Sequence, residues 1–188
     1  MGLMFTIKFL PILSLSLILL PRTTHASAFI VKNNCTYPVW AASIRPHGGK
    51  ELARGMDDLW ILSVAPGTDG SRIWGRTHCD FDSGSTHPCQ TGDCGNFLEC
   101  TAPGMRSATL AEFTLSDQPA GAGADFYHIS NDDGFNIPMS FAPTTKSVHS
   151  GNCTPIQCDS NACPNRTDVH SCPSGLNYEV VFCPPSQL

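Results

Sequence analysis

The stretch Thr109-Leu110-Ala111-Glu112-Phe113-Thr114-Leu115, TLAEFTL in one-letter code, decides the fold class. Aromatic and β-branched residues in a short run of this kind read as a strand. Successive strand side chains point to opposite faces, so Leu110, Glu112 and Thr114 share one face while Ala111, Phe113 and Leu115 share the other. Glu112 is then a carboxylate set mid-strand among apolar neighbours, a costly position unless it meets solvent or a partner. Two readings stay open at this point, a solvated sheet face and a cleft covered by a second element.

Runs of the same kind recur at 29–32, 37–42, 59–64, 71–76, 125–130 and 178–182. Gly and Pro together number 31, which favours many tight turns over long helices. No stretch after residue 28 holds an i, i+3, i+4 apolar pattern beyond about three turns. The chain is therefore predicted to be all-β, an antiparallel β-sandwich of two sheets. Residues 142–174 differ, being rich in Thr, Ser, Asn and Pro and holding four of the ten cysteines. They predict a short disulfide-held loop lobe beside the sandwich.

Residues 1–28 read as a secretory signal peptide, with Lys8 ahead of an apolar run and small residues at Ala26-Ser27-Ala28. Cleavage is expected after Ala28 or after Ala26, leaving residues 29–188 as one domain and no membrane span. Of the 11 basic residues two (Lys8 and Arg22) lie in the leader, so 9 remain against 16 acidic ones, a balance of −7. That charge argues against nucleic acid and against anionic lipid as partners. Three sequons, at Asn34, Asn152 and Asn165, suit a secreted surface, Asn165 best because cysteines occupy the middle of the other two.

All ten cysteines follow the leader, three of them in Cys89-Gln90-Thr91-Gly92-Asp93-Cys94-Gly95-Asn96-Phe97-Leu98-Glu99-Cys100. An even count in an oxidising compartment implies disulfides, and no spacing is the C-x-x-C of a zinc ribbon or thioredoxin-like site. No metal and no cofactor is expected, since no P-loop or dinucleotide fingerprint occurs either. Protease motifs around Ser, Cys or His are likewise missing.

A second constellation lies downstream, where Phe126, His128 and Ser130 share a strand face and Asn131-Asp132-Asp133-Gly134 forms a turn carrying carboxylates. Upstream, Arg72 and Arg76 flank Trp74, and an Arg there could pair with a cleft carboxylate. Trp40, Trp60 and Trp74 fit sugar stacking and core packing equally well.

From about residue 29 to 184 the chain resembles the thaumatin-like proteins, the pathogenesis-related group of plants. The blocks NNCTYPVWAA (33–42), RIWGRTHC (72–79), CQTGDC (89–94), TLAEF (109–113), DGFNIPM (133–139) and NYEVVFCP (177–184) carry the likeness. The small five-disulfide subclass is the nearest match, and it implies the pairs Cys35–Cys183, Cys79–Cys89, Cys94–Cys100, Cys153–Cys172 and Cys158–Cys163. Residues 84–88 before Cys89, and Asn96, depart from the usual pattern. The resemblance also implies an electronegative cleft whose Arg falls on Arg72, Glu on Glu112 and one Asp on Asp133. A further Asp position is occupied by His128, and the last falls on Asp168. An imidazole in place of a carboxylate makes such a cleft less acidic at neutral pH.

By the same resemblance the expected role is a secreted, monomeric, antifungal defence protein of the apoplast or cell wall. Its partner would be fungal cell-wall β-1,3-glucan or a microbial glycanase such as a fungal xylanase. The alternative is a weak endo-β-1,3-glucanase with Glu112 as general acid and Asp133 as second carboxylate, a pair whose separation would decide between retention and inversion.

Overall fold

Every second residue of the first strand is buried, β1 (Ser27–Asn33) reading inward at Ser27, Phe29, Val31 and Asn33. The computed structural model describes residues 25–103, 107–145, 152–161, 163 and 168–185. The leader therefore lies outside the described residues, apart from its last four positions. After β1 come β2 (Val39–Ile44), β3 (Gly48–Leu52), β4 (Leu59–Val64), β5 (Ser71–Arg76), β6 (Leu110–Thr114) and β7 (Ala124–Ser130). The chain continues with β8 (Met139–Pro143), β9 (Ile156–Cys158), β10 (His170–Pro173) and β11 (Tyr178–Phe182). Among the described residues no helix is long and apolar enough to cross a membrane.

Two sheets form, one of five strands in the order β4-β1-β11-β8-β9 and one of six in the order β10-β7-β6-β5-β2-β3. Their inner faces meet over an aromatic core. Phe29 of one sheet stacks on Phe113 of the other with ring centroids 4.1 Å apart, and Tyr178 lies 5.1 Å from Phe29 on the opposite side. Tyr127 and Phe141 close the cluster at 5.0 Å. Such pairs add about 0.5–1.5 kcal/mol each beyond the area they bury.

Among the described residues all strand pairings are antiparallel except one, because β1 lies parallel to β11 with Phe29 opposite Tyr178 and Asn33 opposite Phe182. Just beyond that register a disulfide joins Cys35 to Cys183 across a separation of 148 residues. In the chain-entropy picture a loop of this size contributes about 4–5 kcal/mol. The remaining bridges are Cys79–Cys89, Cys94–Cys100, Cys153–Cys172 and Cys158–Cys163.

Residues 142–174 hold two of these bridges and also two short strands for which their polar composition gave no signal. β9 extends the five-stranded sheet by pairing with β8, and β10 extends the six-stranded sheet by pairing with β7. The lobe thus supplies one edge strand of each layer, and edge strands this short offer little ladder to another chain.

Between β5 and β6 the cysteine-rich stretch folds around one buried cation. Arg76 is 0% exposed and donates to four carbonyls, those of Trp40 (3.1 Å), Ala41 (3.4 Å), Phe97 (3.0 Å) and Leu98 (2.6 Å). Its guanidinium also sits 5.4 Å from the Phe81 ring. Burial pushes the Arg76 pKa down to about 10, partly opposed by the nearby Asp93 carboxylate, so the group stays charged at neutral pH. The loop comes so close to β3 that a Cβ on Gly49 would lie 1.7 Å from the Leu98 carbonyl oxygen. Only glycine permits that approach.

Replacing Arg76 by Met is expected to cost about 3 kcal/mol, because it leaves buried carbonyls without donors. Urea denaturation under oxidising conditions, with limited proteolysis of residues 94–100, measures it; unchanged stability and unchanged cleavage would refute the role of this cation.

Candidate functional site

Strands β5, β6 and β7 are neighbours, and their registers set Arg72 opposite Glu112 and Glu112 opposite His128. One residue from each strand thus forms a row across the outer face of the six-stranded sheet. Directly opposed side chains stand about 5 Å apart at Cβ, which lets all three polar tips meet. Arg72 Nε lies 2.7 Å from Glu112 Oε1, and His128 Nε2 lies 2.9 Å from Glu112 Oε2. Glu112 is only 9% exposed. A carboxylate this buried is tolerated because donors reach it from either side.

The row forms the floor of a groove of about 400 Å³, lined by Gly70, Arg72, Glu112, Phe126, His128 and Val169 among others. Its far wall is apolar, with Phe126 49% and Val169 37% exposed. Toward β4 the lining turns polar again, where Thr114 Oγ1 donates to Asp69 Oδ1 at 2.7 Å. The groove therefore offers charged and hydroxyl groups beside an open aromatic ring. Sites of this make-up take ligands that have both hydroxyl edges and apolar faces.

Asp133 approaches the row from the turn after β7, its Oδ2 3.9 Å from Arg72 Nη1. The Ser107 amide fixes that turn by donating to the Asp133 carbonyl at 2.5 Å. One guanidinium consequently stands against both Glu112 and Asp133. Asp168 is held elsewhere: its Oδ1 lies 3.6 Å from His170 Nε2, while its neighbour Val169 lines the groove.

Of the sequon residues, Asn34 donates its amide to the Cys183 carbonyl at 2.8 Å. Asn152 is exposed and donates to the Val169 carbonyl at 2.7 Å. Asn165 lies outside the described residues. Sequence reasoning had no signal for Val169, which sits in a polar segment. Phe126 did carry one, since strand alternation puts it on the face of His128.

Residues 33–184 match the Thaumatin family. The chain is 37% identical to pathogenesis-related thaumatin-like protein 3.8 of Cryptomeria japonica, covering 87% of this chain and 91% of that one. It is 46% identical to an osmotin-like protein, OSML15, of Solanum commersonii, with 82% of this chain and 59% of that protein covered. Among solved structures it resembles the thaumatin-like xylanase inhibitor TLXI, with a TM-score of 0.64, 30% identity, and 83% of this chain and 99% of that one covered. A sandwich closed by five disulfides around this groove is the thaumatin-like class of protein. The chain belongs to the thaumatin family.

Removing Glu112 alone should be more harmful than removing it together with its cation. Glu112→Leu is expected to cost about 3 kcal/mol, and Arg72→Met/Glu112→Leu distinctly less, since the single change leaves a largely buried guanidinium with only the more distant Asp133 carboxylate. Guanidinium chloride unfolding of the three variants measures the coupling, and strictly additive losses would disprove it.

Proposed function

We propose that this is a secreted plant defence protein that binds β-1,3-glucan of fungal cell walls in the Arg72–Glu112–His128 groove, acts as a monomer, and does not cleave its ligand. The observation that carries this reading is the clamped state of Glu112, whose two oxygens face Arg72 and His128 at 2.7 and 2.9 Å. A general acid must present a proton to the leaving group, and a nucleophile or base must present free lone pairs to the ring or a water. Glu112 directs both oxygens at protein donors instead. The second carboxylate of a glycosidase pair also needs substrate or water between it and the first. Here the Arg72 guanidinium reaches both Glu112 and Asp133.

Binding needs only what the groove presents: a fixed polar row for hydroxyl groups, and Phe126 for the apolar face of a sugar ring. The names of the relatives, pathogenesis-related and thaumatin-like, support the defence role. Ten cysteines in five bridges suit an oxidising compartment, in keeping with the leader read from residues 1–28. A second reading, inhibition of a microbial xylanase, is favoured by the likeness to a solved structure named as a thaumatin-like xylanase inhibitor.

Co-sedimentation with insoluble β-1,3-glucan, xylan and chitin, run beside a fungal xylanase assay, tests both readings. Retention on the glucan is expected, reduced about tenfold or more by Phe126→Ala, with no reducing sugar released from soluble β-1,3-glucan. Sugar release that vanishes in Glu112→Gln would replace binding by catalysis, and xylanase inhibition without glucan retention would move the role to the second reading.

A further inference from the structure

One buried carboxylate lies far from the groove. Asp125, at the start of β7, is 1% exposed and faces the interior. It accepts hydrogen bonds from the Ser116 amide at 2.9 Å and from the Tyr178 hydroxyl at 3.0 Å. Neither partner is a cation, and burial raises the Asp125 pKa against the pull of these donors. Buried carboxylates ordinarily have a positive partner.

Beside Asp125 is a cavity of about 30 Å³, lined by His25, Ser27, Ser116, Gln118 and Gly175 among others, with no Lys or Arg among the described residues of its wall. That volume is about one water molecule's share of the liquid. An ammonium group is of similar size. Ser27 is itself buried, opens β1 and pairs with Val64, and so holds its backbone nitrogen at this end of the sandwich. Among the described residues of the wall the titratable cation is His25, two residues before Ser27.

We propose that proteolytic processing after Ala26 completes this site: the new α-ammonium of Ser27 occupies the cavity and pairs with the Asp125 carboxylate. Water adds across the Ala26–Ser27 amide under a leader peptidase. The Ala26 carbonyl carbon gains the hydroxyl and leaves as a carboxylic acid, and the Ser27 nitrogen takes up protons to become the ammonium. Cutting two residues later would instead strip Ser27 from its pairing with Val64. It would also leave Phe29, 0% exposed and stacked on Phe113, as the terminal residue. The leader's departure thus exchanges His25 in the cavity wall for an internal ion pair.

The inference rests on residues 1–26 being a leader, and the test separates the two. N-terminal sequencing of the protein secreted from plant cells is expected to begin at Ser27; a start at Phe29 overturns the site, whereas an intact Met1 overturns the leader. Independently, protein released from a cleavable fusion to begin at Ser27 is compared with one beginning at Ala26, each with and without Asp125→Asn. The extra residue is expected to lower Tm by roughly 5 °C in the native sequence and by almost nothing in the Asp125→Asn background. Equal losses in both backgrounds, or no loss in either, refute the pair. Should the Asp125→Asn protein not fold, amine acylation decides: the Ser27 amine is expected to react at least tenfold more slowly in the folded than in the urea-unfolded protein, and equal rates refute burial of the ammonium.

Discussion

The parallel pairing of β1 with β11, sealed by Cys35–Cys183, is the constraint on which the other contacts depend. It places the first and last strands side by side at the centre of the five-stranded sheet. Phe29 and Tyr178, opposite one another in that register, supply the rings on which Phe113 and Tyr127 of the second sheet pack. A pairing between chain ends is entropically remote and gains little from local propensity. The covalent link changes that balance, because in the oxidised chain the two strands are never far apart even when unfolded.

The groove inherits its order from the same scaffold. Arg72, Glu112 and His128 come from three strands, and nothing but sheet register brings them into one row. A slip of one residue in either ladder would turn Glu112 into the aromatic core, away from the Arg72 and His128 donors. Register and charge pairing therefore reinforce each other, and the site is as rigid as the sheet. Rigid preorganisation suits recognition, since little freedom remains to be lost when a ligand docks.

Much of this was legible in the sequence, though unevenly. Alternation in TLAEFTL gave the strand, the two faces and the exceptional position of Glu112, and similar runs located six more of the strands. β3 was hidden because Gly-Gly-Lys-Glu has poor strand propensity; it is a strand because β2 pairs with it and the Cys94–Cys100 loop lies on its glycines. β8 ends in Pro143, and β9 and β10 have only three and four residues, too short for any periodicity to register. The partners of Glu112 were out of reach for residue-level reasoning, because register is a long-range property. Residue-level reading singled out Arg72 and His128 separately, and the resemblance to a family put them in one cleft with Glu112. Arg76 was equally obscure, since a buried arginine satisfied by carbonyls has no sequence signature distinct from an exposed one.

A chain joined to itself at residues 35 and 183 is topologically a ring between those two positions. Severing any one peptide bond between Cys35 and Cys183 opens that circle into a line and releases no fragment. Two successive cuts are needed before a piece can diffuse away, and the four inner bridges withhold many of the pairs of cuts that would do it. A first cut by a peptidase inside the circle therefore leaves both sides of the break tethered to the rest of the fold through the bridges.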